Sequence, residues 1–471
     1  MRLDSITNLG MNYLKVGIVL VLAIAILFAV NYFLIYKKLL KGTKKLNKRK
    51  LALSAVSFCY FILVVGAVLL DRGSHYYSAY DLQLFNSYLD AWNSFSKVAW
   101  RPIILNIIMF VPIGILLPLW SEKLKTFWKA FAASIAMTFI IEFCQLLMKR
   151  GIFELDDIFD NTLGAVIGYC LIMIIFLLRK DVKKKGLKVA ACLSPLLLTL
   201  GTFLGIFAIY NNQEFGNLEE NYTYKQNMKG ITVTSEVAFD DKGSTAEVFS
   251  SKVATKEEAY DFAEKFFGKF SEEIDDSMTD VYDDTIIYYS KDRFTSIWID
   301  FKGFTYSFSK HREEEKNQAT TADENKIKSA LKDFGIDVPE KAVFKAKQGN
   351  CYSFEVSKTK VEEELYDGIL TCEDYNDGTI SRIDNKIIEY KPVKDCEIIS
   401  EAEAYNHIKE GKFKNCIYTE SMNNEAIKSI DVQAVKLDYI SDSKGFFQPV
   451  YRFDISVNDV SGYIIIPALK N

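Results

Sequence analysis

The sequence predicts an α-helical polytopic membrane bundle of six transmembrane helices, followed by an extracytoplasmic α+β domain of repeated helix-plus-antiparallel-strand modules. Three observations predict it. Six apolar runs near the length of a bilayer crossing lie within the first 210 of 471 residues. The charge changes sign between the halves: up to Glu214 there are 24 basic and 12 acidic residues, a net of +12, and from Phe215 onward 33 basic and 49 acidic, a net of −16. Helix-start signals then recur among strand-like runs in the acidic half. Such asymmetry separates a membrane part from a solvated part. The acidic excess reads as a solvated surface and is assigned no function.

A spanning helix needs about 20 apolar residues, and runs at 16–36, 51–70, 102–120, 127–148, 158–178 and 187–210 supply them. The first is a retained helix and not a cleavable signal, because its apolar run is full length and its basic cluster follows it. Basic loops stay in the cytoplasm. Lys37, Lys38, Lys41, Lys44, Lys45, Lys48, Arg49 and Lys50 put the first loop inside, and the six basic residues against one acid at 179–188 put the last one inside as well. The N-terminus, the loops 71–101 and 149–157, and everything after Tyr210 then lie outside, so this is a multi-pass protein of the cell membrane. Four segments result: 1–70 with two helices, 71–178 with three, 179–210 with a basic loop and the sixth, and 215–471 outside. The basic residues belong to short loops that this topology explains, and nucleic-acid binding is not expected.

The second half reads as mixed α and β. Thr255 with Glu258, Thr321 with Glu324 and Ser400 with Glu403 have capping-box spacing, in which hydroxyl and carboxylate satisfy orphan backbone donors at a helix start. Apolar stripes follow, Ala259, Phe262, Ala263, Phe266 and Phe270 being the longest. Gly335 and Gly411 stand where helices end. Strand-like runs at 285–289, 295–301, 351–356, 379–390 and 462–466, with turns at Asp377-Gly378 and Lys444-Gly445, complete two or three modules. The segment 400–413, SEAEAYNHIKEGKF, resembles PepSY-type and YycI-type extracytoplasmic domains, which are binding or regulatory modules. Cys59, Cys144, Cys170 and Cys192 fall in apolar runs as small hydrophobes. Cys351, Cys372, Cys396 and Cys416 allow two disulfides or four free thiols. His75, His311 and His407 are far apart, and no zinc spacing, Walker loop or dinucleotide fingerprint occurs, so no metal and no cofactor is expected.

Polar side chains in hydrocarbon cost about 2.5 to 3.5 kcal/mol for a charge at a helix centre, so their positions point to sites. Asn106 lies near the outer end of the third helix. Glu142 and Gln145, three apart, share a face of the fourth. Arg150, Glu154, Asp156 and Asp157 follow. On the fifth helix Asp157, Asp160, Asn161, Gly164 and Gly168 trace one stripe, and the glycines have the small-xxx-small spacing that admits a close neighbour. Three helices thus converge on one polar pocket at one depth. The blander reading has Arg150 neutralise Glu142 or an aspartate, the cluster serving only to glue the bundle.

Asn106, Phe110, Pro112 and Gly114, then Glu142 and Gln145, then Arg150, Asp156, Asp157, Asn161, Gly164 and Gly168 resemble, in this order, the VanZ-like membrane proteins, over residues 71–178. Asp160 departs from the pattern where such sequences are apolar, and Glu154 where Asp is common. The resemblance implies a bacterial cell-envelope function, the founding member being linked to teicoplanin resistance, without implying a reaction. Three classes of function stay open. A non-enzymatic envelope protein would bind a lipid-linked or wall-associated ligand through Asn106, Glu142, Gln145, Arg150, Asp156, Asp157 and Asn161, with Arg150 as the phosphate or carboxylate partner and Pro112, Gly114, Gly164 and Gly168 packing the helices. An enzyme acting on a lipid head group would use Glu142 and Asp157 as acid and base, although no nucleophile and base pair is recognisable. A sensor or adaptor would need a partner membrane protein.

Overall fold

The computed structural model describes residues 11, 14–22, 25–26, 32, 47–70, 79–222, 225–282, 284–310, 323–346, 350–375, 379–414, 417–418 and 427–470. The chain divides into two compact units, Met1–Gln213 and Glu214–Asn471.

In the first unit the described residues hold five helices long and apolar enough to cross a membrane. Of the expected first span, 16–36, only 16–22, 25–26 and 32 are among them. Helix α1 (Lys48–Val65) is capped by the Asn47 side chain, which accepts from Lys50 N, and runs on into a π turn, Gly66–Leu70. Strand β1 (Ala79–Asp81) and the short helix α2 (Asn86–Ser94) precede α3 (Lys97–Trp120), whose Ser96 cap accepts from Ala99 N at 3.2 Å. Helix α4 (Phe127–Met148), strand β2 (Ile152–Glu154), α5 (Leu155–Leu178) and α6 (Lys185–Asn212) complete the unit. Helix α3 begins five residues before the expected run, because a serine cap starts it and the charged first turn belongs to it. Helix α5 begins three residues early, with Asp156 and Asp157 in its first turn where carboxylates oppose the positive end of the helix dipole.

The glycine stripe packs α3 on α5. A Cβ on Gly164 would fall 1.9 Å from the Ile107 carbonyl oxygen, one on Gly168 1.9 Å from that of Val111, and one on Gly114 1.9 Å from that of Ala165. Backbone meets backbone on both sides, which small residues permit in a membrane. Pro112 lies between these contacts on α3. The loops 71–101 and 149–157 also meet: β1 and β2 pair in parallel, with Ala79 opposite Ile152 and Asp81 opposite Glu154. This ribbon was not expected.

The second unit carries β3 (Thr232–Ser235), β4 (Ser244–Ser251), α7 (Lys256–Gly268), β5 (Asp280–Val281), β6 (Thr285–Tyr289), β7 (Thr295–Asp300), β8 (Tyr306–Lys310), α8 (Glu324–Asp333), β9 (Val343–Ala346), β10 (Cys351–Val361), β11 (Glu364–Tyr375), β12 (Thr379–Asn385), β13 (Ile388–Ile398), α9 (Glu401–Lys409), β14 (Ile417–Tyr418), β15 (Ser429–Ser441), β16 (Phe446–Val457) and β17 (Val460–Pro467). The strands form one hydrogen-bonded network in the order β14-β17-β16-β4-β13-β11-β12-β8-β7-β6-β5, with β10 joined to β11 and β9, and β15 to β16 and β3. Two large apolar cores and a smaller one, of Phe249, Leu365, Tyr390 and Phe447, lie on it. Phe266, Phe267, Ile327 and Leu331 of α7 and α8 pack with Ile297, Phe308 and Phe354, while Ala404 and Ile408 of α9 pack with Phe453, Ile455 and Ile464. The network is continuous across these cores.

Thr255 and Glu258 form the complete capping box, and Ser400 Oγ accepts from Glu403 N at 3.1 Å. The third start differs. Asp323 caps α8, accepting from Lys326 N at 2.8 Å, because its carboxylate sits directly before the first helical residue; Thr321 lies outside the described residues. Gly335 and Gly411 end their helices with φ of +75° each, and Ile336 N reaches back to Leu331 O, the bond of a Schellman turn. The run 379–390 is β12 and β13, which pair with β11 in one register, Asn385 opposite Leu370 and Ile388 opposite Asp367, and Lys386 N between them bonds Ile369 O. Asp377-Gly378 lies outside the described residues. Cys351, Cys372 and Cys396 form no disulfide, and Cys416 lies outside the described residues. Cys372 pairs across the ladder with Tyr352, so Cys351, its neighbour in sequence, points to the opposite face.

Candidate functional site

Helix α4 places the site. Its buried residues are Ala130, Ser134, Thr138, Glu142 and Gln145, and its phenylalanines at 139 and 143 face outward. Every buried position is small or polar, spaced four, four, four and three, which is one helical face. This face meets the polar start of α5. Asn161 Nδ2 donates to Thr138 Oγ1 at 2.9 Å, one turn from Glu142, which is 1% exposed. Gln145 Nε2 donates to the Val68 carbonyl at 3.2 Å. That carbonyl lies in the last turn of the first described span, where carbonyls lack helical donors. Asn161 Oδ1 and Gln145 Oε1 are buried acceptors without a hydrogen-bond partner.

The other expected residues divide by what they hold. Asp156, buried, accepts from the backbone of Phe85 and from Ser87 N at 2.8 Å, and so caps α2 from a different helix. Asp160 accepts from the Tyr88 hydroxyl. Asn106 Nδ2 donates to Asp157 Oδ1 at 2.6 Å, joining α3 to α5. Arg150 follows Lys149, the left-handed residue ending α4, and its N–H closes the helix on Gln145 O at 3.0 Å. Gly114, Gly164 and Gly168 make the close approach already described.

The chemistry at the rim is acidic. Glu154 takes the Ser87 hydroxyl at 3.3 Å; burial, and after it the Asp157 charge, push its carboxyl up to about 7. Burial and then Asp160 push the Tyr88 phenol well above its ordinary value. Among the described residues no group of three His, Cys, Asp or Glu is placed to hold a metal ion.

Ser134, Thr138, Tyr88 and the Val68 carbonyl were not singled out from the sequence. Ser134, Thr138 and Glu142 carried a signal, being four apart on an otherwise apolar helix. Tyr88 and Val68 carried none, since a lone tyrosine between two spans and a backbone carbonyl have no pattern of their own. Residues 51–177 match the model of the VanZ/LLP1 family, which covers the whole of this site. No curated protein matches the chain.

Proposed function

We propose, taking the VanZ/LLP1 character of residues 51–177 as premise, that this membrane protein binds an envelope lipid or wall-associated ligand at the polar face of α4 and thereby contributes to teicoplanin-type glycopeptide resistance. The observation that carries the reading is the pair of buried acceptors where α4 meets α5, Gln145 Oε1 and Asn161 Oδ1. A polar group left without a donor in hydrocarbon is costly, and a ligand supplying donors would offset that cost. Asp156, Asp160 and the Asn106–Asp157 pair then act as scaffold. Glu142, Gln145 and Arg150 are the ligand groups, Arg150 offering the only fork among them suited to a phosphate or carboxylate. The basic loops at 37–50 and 179–188 favour an orientation with this end of the helices, and the unit from Glu214 onward, outside the cell.

Arg150→Ala, produced at wild-type level in the membrane, is expected to return teicoplanin susceptibility to that of cells lacking the protein. Resistance unchanged in a well-inserted variant would overturn the reading.

A further inference from the structure

We propose that one sheet face of the second unit is a glycan-binding platform, on which Trp298 stacks against a ring of an extended, uncharged, β-linked pyranose chain and the hydroxyls and carboxylates around it bond the sugar hydroxyls. The site lies outside the family-matched residues 51–177 and does not depend on the reading of α4. Side chains alternate between the two faces of a strand. Ile297 and Ile299 of β7, Phe308 of β8 and Ile383 of β12 enter the core under α7 and α8. Their neighbours in sequence, Ser296, Trp298, Asp300, Ser307, Arg382 and Asp384, therefore share the opposite face. The register puts Trp298 between Ile287 and Ser307, and Ser307 beside Asp384.

Trp298 is the anomaly on this face. It is 49% exposed in the middle of a strand, where water drives an indole inward, and most positions around it are polar. Ser307 Oγ donates to Asp384 Oδ1 at 2.6 Å and Thr285 Oγ1 to Asp300 Oδ1 at 2.6 Å, while Ser296 Oγ lies 3.2 Å from Ser309 Oγ. A protein interface leaves charged residues out of its centre, and these surroundings do the reverse. The flat C–H face of a pyranose fits an exposed indole, which is apolar in its body. Its hydroxyls both donate and accept, which suits carboxylates held in place by serine and threonine, with the exposed Arg382 as a donor. Charges of both signs lie here: Asp280, Asp300 and Asp384 stand with Arg382 and with Lys386, whose Nζ is 3.8 Å from Asp384 Oδ2. The face thus has too little net charge to hold a polyion, and an uncharged chain matches it. Trp298 and Asp384 are two strands apart, about 10 Å, a distance that two rings of an extended chain span.

Trp298 is the only tryptophan after Trp128, so acrylamide, which quenches from water, reads it in the full chain in detergent. Chitohexaose, an uncharged β-linked hexamer, is expected to protect a saturable part of the emission, and that part is expected to be missing in Trp298→Ala. In calorimetry, Trp298→Ala should weaken chitohexaose binding about tenfold, and Asp384→Asn should weaken it less, both at unchanged Tm. Trp298→Phe repeats the test should the alanine variant unfold, with a smaller loss because a smaller ring remains. Polygalacturonate, a polyanion of pyranose rings, should compete poorly. No saturable protection by chitohexaose, full affinity in a folded Trp298 variant, or equal binding of polygalacturonate would overturn the proposal. Teicoplanin susceptibility of Arg150→Ala has no bearing on these outcomes, so either reading can fail alone.

Discussion

Helix α4 in the first unit and helix α7 in the second both carry several phenylalanines and alanines and are packed by opposite rules. The buried face of α4 is Ala130, Ser134, Thr138, Glu142 and Gln145, with its aromatic residues turned outward. The buried face of α7 is Ala259, Ala263, Phe266 and Phe267, with Lys256, Glu257 and Glu264 turned outward. The difference is the solvent. Water drives phenylalanine inward, whereas hydrocarbon gives it no reason to leave the surface and expels hydroxyls, amides and carboxyls instead. What holds the first unit together is therefore close backbone approach and polar pairing; what holds the second is apolar volume.

The comparison is sharpest where a side chain is added or removed. Gly164→Val should cost more than about 4 kcal/mol, since a Cβ placed 1.9 Å from the Ile107 oxygen forces α3 and α5 apart. Thermal unfolding of the full chain in detergent would measure it, and a midpoint close to wild type would mean that the helices do not touch as described. Phe267→Ala should cost about 3 to 5 kcal/mol by opening a cavity in the core under α7. The matching truncation Leu204→Ala, on the outward face of α6, should stay within about 0.5 kcal/mol. Equal losses at Phe267 and Leu204 would erase the distinction between the units.

How much of this was legible in sequence follows the same division. Five of the six expected spans were legible because hydropathy is a property of composition, and the glycines at 164 and 168 because their spacing states what they do. The polar positions from Asn106 to Asn161 were legible as a set, since each is anomalous in an apolar run. Their partners were not. Asp156 caps a helix that begins 70 residues earlier in the chain, and β1 pairs with β2 across a similar gap; no local pattern encodes contacts between segments so far apart. In the second unit the capping box at Thr255 declared itself, but the interruption between β12 and β13 did not, because it goes with the close approach of Gly368 on the partner strand, where a Cβ would fall 2.0 Å from Lys386 O.

Two smaller effects test the polar side of the comparison. Thr138→Val keeps the shape and removes the hydroxyl that Asn161 uses. Hydrogen bonds between membrane helices are worth about 1 kcal/mol, so a loss of that size is expected in the same unfolding measurement, and a loss as large as that of Phe267→Ala would show that polar pairing rivals apolar packing.

Glu154 supplies the last and smallest. Its carboxyl is raised from an ordinary value of 4.5 to about 7, by burial first and by Asp157 second. The folded state therefore holds a proton that the unfolded state has released over the interval between those values, and stability falls as pH rises through it. The ribbon of β1 and β2 and the adjoining helix α2 should be better protected near pH 5 than near pH 8, read as amide exchange over residues 79–94 and 152–157. Glu154→Gln, which fixes the neutral form, should remove that dependence while leaving the protection seen near pH 5. A pH response that survives the substitution would assign the titration to a neighbouring carboxylate of the same acidic rim.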